Sequence, residues 1–205
     1  MDSNSIQSAP LMKWGWEALW QPVIRSVGSV LAPADDLNVE RVVAESIRRW
    51  CEPLEFDCAL HHDAEVARLH GFGDVIAPYT SLGTFLVKPL WLPGEPALFR
   101  DSGVDAQPAR DPIGFTAIPG APPTSGFFAT DVEFDYVRPP RVGDRLRRGP
   151  RELTGCVPKR TRVGDGAFIT ITYAVMDHRD DEIAKCRNTF YYYNPHTEET
   201  AYEPG

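Results

Sequence analysis

No apolar run in this chain approaches the roughly 18–20 residues that cross a bilayer, so no transmembrane helix is expected. The first thirty-odd residues lack the cationic start and unbroken apolar core of a secretory signal, because Lys13 and Glu17 interrupt them. The expected compartment is the cytoplasm. Positive charge is in short supply: 21 Lys and Arg stand against 29 Asp and Glu, a net charge of -8. A phosphate backbone needs a basic face, so a nucleic-acid partner is excluded. The four cysteines, Cys51, Cys58, Cys156 and Cys186, show no C-x-x-C spacing. That argues against a zinc site and for buried, reduced thiols. No repeat and no low-complexity tract is present, and 42% hydrophobic residues suffice for a real core.

The pattern that is present puts helices first and strands last. Trp16, Trp20, Val23, Val27 and Leu31 step by helical intervals. With Trp14 they make an apolar segment that must pack on its own domain or on a partner. Asn38 reads as an N-cap for a helix over 39–50, which Pro53 stops. Asp63 reads as the cap of a short helix over 63–69, broken by Gly71 and Gly73. In the stretch 77–91, Pro78 suits a first helical turn, and Leu82, Phe85, Leu86 and Leu90 are apolar. Ser81, Gly83 and Thr84 would let a sheet approach closely, so a buried central helix is expected here, ended by Pro89. A Pro- and Gly-rich excursion over 93–124 follows, a candidate lid or partner-contacting segment. Val132, Phe134 and Tyr136 alternate with acidic residues, as do Ala167, Ile169, Ile171, Tyr173 and Val175 with their neighbours. A third strand is expected over 183–193. The order indicates an α+β fold.

The segment CEPLEFDCALHHDAEVARLHGFGDVIAPY resembles the part of MaoC-like hydratases that holds an Asp and a His, a short helix, a glycine turn and the start of the central helix. The resemblance is closest to the FAS1-like N-terminal branch of that family. EFDYVRPPRVGDRL resembles its paired strands after the central helix, and GDGAFITITYAVMDHRDDEIAKCRNTFYYYNP its closing hairpin. Together they span about 37–195. The resemblance implies a hot-dog fold: a long central helix wrapped by an antiparallel β-sheet. It implies one domain over 35–195, with an N-terminal helical extension over 1–34 and a tail over 196–205. It also implies pairing of two hot dogs and reversible hydration of a 2-enoyl thioester carried on CoA or a carrier protein. Neither a metal nor a redox cofactor is required.

By resemblance the catalytic pair is an Asp five residues before a His. Asp57 and His62 keep that spacing. Counting back from the glycine turn instead selects His61 and puts Phe56 in the acid's place. Such a pair can orient and deprotonate a water molecule, while the Tyr79 N–H at the helix start would stabilise the enolate-like oxygen. Pro78 has no N–H to give. Glu55 is a weaker acid candidate, and His70 and His178 belong to solvated turns. Thr80 and Ser81 either line the pocket or bond the helix start. Among clustered arginines, Arg138 and Arg160 are candidates for the thioester's phosphates, against the alternative of a solvated hairpin. The expected function is one subunit of a heteromeric enoyl-thioester hydratase or dehydratase, a hydro-lyase working with a second MaoC-like chain. A self-sufficient homodimer, a non-catalytic acyl-thioester-binding subunit and, more weakly, a thioesterase are the alternatives. Fatty, steroid and polyketide acyl groups all remain open.

Overall fold

A computed structural model describes residues 15–99, 101–103, 106 and 117–196. Among these residues six strands form one antiparallel sheet: β1 (Val30–Ala32), β2 (Gly126–Tyr136), β3 (Arg147–Arg148), β4 (Arg151–Thr161), β5 (Gly164–Met176) and β6 (Glu182–Pro195). Their order is β1-β4-β5-β6-β2, with β3 also pairing β5. In β5 the apolar set Ala167, Ile169, Ile171, Tyr173 and Val175 is buried, and the intervening residues are half-buried. This is the period-2 pattern of a strand with one face on a core. Gly166 lies so close to the Tyr192 carbonyl on β6 that a Cβ would collide with it. β4 escaped the sequence reading because Leu153 is its sole buried residue, which leaves no alternation to detect.

Among the described residues four short helices accompany the sheet: α1 (Gln21–Arg25), α2 (Ala44–Cys51), α3 (Ala64–Leu69) and α4 (Leu82–Phe85). They cover one face of β5 in two groups. Leu82 and Leu86 pack with Ile47 of α2 against Tyr173, Val175, Ile183 and Cys186. Trp20 and Val23 pack against Leu153, Ala167, Ile169 and Ile171. The N-terminal aromatic segment therefore docks on its own sheet; Trp14 lies outside the described residues.

The hot-dog arrangement is as expected, but three local expectations are corrected. The central helix is not long: a 3₁₀ turn, Tyr79–Ser81, leads into α4, which ends at Phe85. Pro89 disfavours helix at the residue before it, and the Asn38 amide takes the Phe85 and Val87 carbonyls at 3.3 and 3.1 Å. Asn38 is consequently not a helix cap; α2 begins at Ala44, with Val43 in the cap position. The N-terminal helix ends at Arg25, and Gly28 (φ 92) turns the chain so that Leu31 lies on β1. Asp63 does cap α3, accepting from the N–H groups of Glu65 and Val66. The excursion over 93–124 lies partly outside the described residues. Among the described residues no helix is long and apolar enough to cross a membrane.

Candidate active site

α2 ends at Cys51, and the chain turns back through a 3₁₀ turn, Glu52–Leu54, with Glu55 in the left-handed region (φ 48). The Phe56 N–H bonds the Cys51 carbonyl. A second tight turn, Ala59–His61, follows. Adjacent residues of such a turn point to different sides, so only one of the two histidines enters the interior. It is His61, 8% exposed, whose Nδ1 lies 2.8 Å from the Ile76 carbonyl. A carbonyl can only accept, so Nδ1 carries a proton and the ring's other nitrogen, Nε2, is left to face outward from that bond. Among the described residues Nε2 has no partner, and it is not among the sealed, unpaired buried atoms. It is thereby accessible from a depression that His61 lines. The Phe56 ring lies 5.2 Å from the imidazole.

His62 points outward. Its Nε2 lies 3.1 Å from Asp57 Oδ1, with side chains 50% and 94% exposed. Both five-residue spacings are thus realised at once: Phe56, itself 46% exposed, beside the buried His61, and Asp57 with His62 at the surface. The two pairs share an open depression of about 460 Å³, which Cys51 and Arg48 also line. Its buried wall has an imidazole but no carboxylate; its rim has the carboxylates of Glu52 and Asp57 and the imidazole of His62, all exposed. Glu55 lines the same depression.

Tyr79 opens the 3₁₀ turn that leads into α4, and its N–H has no partner among the described residues. Its ring meets the Tyr136 ring edge-on at 4.6 Å, and the Tyr136 hydroxyl donates to the Tyr79 carbonyl. Burial, then the neighbouring Cys186 and Tyr79, push the Tyr136 phenol up to about 12, so it remains a donor. Tyr79 does not line the depression, but it is joined to it by chain: Ile76, which accepts from His61, lies three residues earlier. Thr80 is exposed. Ser81 is buried and its Oγ donates to the Pro78 carbonyl at 2.6 Å, the helix-start bond rather than a pocket contact.

The arginines are largely committed to carboxylates. Arg138 holds Asp144 at 2.6 and 3.2 Å and Asp177 at 2.7 Å. Arg160 holds Asp165 at 2.5 and 2.7 Å on the exposed β4–β5 hairpin. Arg148 and Arg151 share Asp35, and Arg147 pairs with Asp180. Neither Arg138 nor Arg160 lines the depression; each holds carboxylates of its own chain. Burial pushes the Asp177 carboxyl up, but the Arg179 and Asp181 N–H groups and Arg138 outweigh it and hold it below the usual value. Asp144, Asp177 and His178 come within reach of a common point, yet the cation between the two aspartates is Arg138. The sequence reading passed over this buried ionic centre and the tie made by Asn38. Polar residues beside turns look solvated in a sequence; only burial reveals them.

The antiparallel sheet wrapped on a short helix defines a hot-dog fold. The family model "FAS1-like, dehydratase domain region" matches residues 27–186. The chain belongs to that family. It is 24% identical over 181 residues to a probable enoyl-CoA hydratase alpha subunit of Thermomonospora curvata, covering 88% of this chain and 52% of the relative. The chain thus spans about half the length of that relative. Among solved structures it resembles the ChsH1-ChsH2 complex from Mycobacterium tuberculosis, with TM-score 0.60, 20% identity, and 92% and 98% of the two chains covered. It also resembles a MaoC-like dehydratase from Rhodospirillum rubrum, with TM-score 0.52, 18% identity, and 83% and 94% covered.

Proposed function

We propose that this chain is one subunit of a MaoC-like enoyl-thioester hydratase or dehydratase that works beside a second MaoC-like chain. The observation that carries this reading is the Asp57–His62 pair, 3.1 Å apart, over a depression backed by the anchored imidazole of His61. His62, held by Asp57, takes a proton from water as the oxygen adds to C3, and the proton is returned at C2. The Tyr79 N–H would receive the thioester oxygen as negative charge develops. Such chemistry needs a site shielded from bulk water. Asp57 is 94% exposed, so this reading needs cover from a second chain, and either a different MaoC-like chain or a second copy would supply it. Arg138 and Arg160 have no part in this reading.

One observation favours a second reading, an acyl-thioester-binding subunit without chemistry of its own. The buried imidazole of His61 faces Phe56, an apolar ring, in the place where it would need a carboxylate. The two readings separate in one assay. Crotonyl-CoA hydration is measured for the chain alone and with a MaoC-like partner added. In the active complex, Asp57→Asn and His62→Ala are expected each to lower kcat by about 10²–10⁴-fold. Unchanged kcat in both variants and in His61→Ala transfers the chemistry to the partner. Release of free CoA thiol without hydration would overturn both readings in favour of a thioesterase.

A further inference from the structure

The segment 75–79, which leads into α4, is bonded to the stretch 136–142, which leaves the end of β2. The Val142 N–H donates to the Val75 carbonyl at 3.1 Å, and the Ala77 N–H donates to the Pro140 carbonyl at 2.7 Å. The Tyr136 hydroxyl donates to the Tyr79 carbonyl. Ile76, between them, is bonded to the histidine turn instead. Its N–H donates to the Leu60 carbonyl at 3.2 Å, and its carbonyl accepts from His61 Nδ1 at 2.8 Å. The placement of 75–79 therefore sets both the anchor of the His61 imidazole and the Tyr79 N–H. Of the three bonds to 136–142, two run from backbone to backbone. The third comes from a side chain and can be removed without altering the backbone.

The Tyr79 N–H lies between two fixed points, the Ala77 N–H on Pro140 and the Tyr79 carbonyl on Tyr136. Pro78 separates them, and its ring holds φ at -53. Little freedom is left to the peptide that carries the Tyr79 N–H. Tyr136 is held in turn. It is half-buried, packs on the core, and meets the Phe134 ring at 5.7 Å and the Tyr79 ring at 4.6 Å. A donor fixed in advance costs no reorganisation when charge develops on the oxygen it faces. We propose that Tyr136 is a positioning residue for the hydration step: through the Tyr79 carbonyl it keeps the Tyr79 N–H aimed at the thioester oxygen. The inference rests on the hydratase reading above, which gives that N–H its role. Because burial, the neighbouring Cys186 and Tyr79 push the phenol up to about 12, the hydroxyl goes on donating at neutral and mildly alkaline pH, and its effect does not vary there.

The test compares two hydroxyl deletions in the preparation that hydrates crotonyl-CoA. Tyr136→Phe keeps the ring and removes the bond to Tyr79. Tyr191→Phe removes a buried hydroxyl that bonds the Lys159 and Gly164 carbonyls at the β4–β5 hairpin. If both hydroxyls serve the fold alone, both variants lose stability and keep kcat. Removing an oxyanion donor outright costs about 10²–10³-fold in kcat, and misaiming one costs less. Tyr136→Phe is therefore expected to lower kcat about tenfold, equally at neutral and mildly alkaline pH, with KM held within about twofold. Tyr191→Phe should leave kcat unchanged. Unchanged kcat in Tyr136→Phe, an equal fall in Tyr191→Phe, or a rise in KM alone overturns the proposal. Asp57→Asn and His62→Ala are assayed alongside. If they are impaired and Tyr136→Phe is not, this inference falls and the hydratase reading stands. If Tyr136→Phe alone is impaired, the inference stands and the Asp57–His62 pair loses its role. No hydration in any preparation takes both away.

Discussion

Replacing Arg138 with alanine tests whether the arginines serve the fold or the substrate. Its guanidinium spans Asp144 and Asp177, whose side chains are 2% and 1% exposed. Removing it leaves two buried carboxylates without their cation. Breaking a buried pair from one side costs about 3–5 kcal/mol, because the orphaned charge keeps its desolvation penalty. Asp177 retains the Arg179 and Asp181 N–H groups at 2.7 and 3.1 Å, and Asp144 retains that of Arg141 at 3.0 Å, which argues for the lower end. For a domain of this size the melting temperature should fall by roughly 6–20 °C. The pH dependence gives a second reading. In the unmodified chain the Asp177 carboxyl is held below its usual value, so its contribution is present above that value and is lost as pH falls through the folded pKa. In Arg138→Ala the bare buried carboxylates prefer to be protonated, so acid relieves the variant. The gap between the two melting curves should therefore narrow as pH is lowered from about 7 to about 4. Calorimetry at several pH values measures this. An unchanged melting temperature together with a raised KM for the thioester would refute the structural account and restore the phosphate-binding one.

Two further substitutions probe how the sheet and helix are held. Asn38→Ala removes the amide that closes the end of α4 on the Phe85 and Val87 carbonyls. It should cost about 1–3 kcal/mol in urea unfolding and raise hydrogen exchange around 86–88; unaltered exchange there would show that the turn holds without it. Tyr191→Phe deletes a buried hydroxyl shared between the Lys159 and Gly164 carbonyls at 2.7 and 2.8 Å. A loss of about 1–2 kcal/mol is expected, and none would mean that neither carbonyl depends on it.

Much of the fold was legible because hydrophobic period is a local property. β5 carries its buried set at every second residue, and that alone identifies a strand with one face on a core. Asp63 announced α3 through a cap whose donors lie two and three residues away. β4 was silent, since its neighbours across the sheet leave only Leu153 fully covered. The central helix was overestimated, because apolar spacing continues past the point where Asn38, distant in sequence, takes its carbonyls.

The candidate site divides in the same way. Sequence alone determined which residues could matter: Asp57, His61, His62 and the helix start at Tyr79 were marked by the resemblance to MaoC-like hydratases. It could not determine which histidine turns inward, because two adjacent residues with equal claims differ only in where a tight turn aims them. Tertiary structure decided that, anchoring His61 on the Ile76 carbonyl beside Phe56 and leaving His62 with Asp57 in water. It also decided that Arg138 and Arg160 hold carboxylates of their own chain. A charge's partner is set by what folds against it, and for Arg138 one such partner lies 39 residues away in sequence.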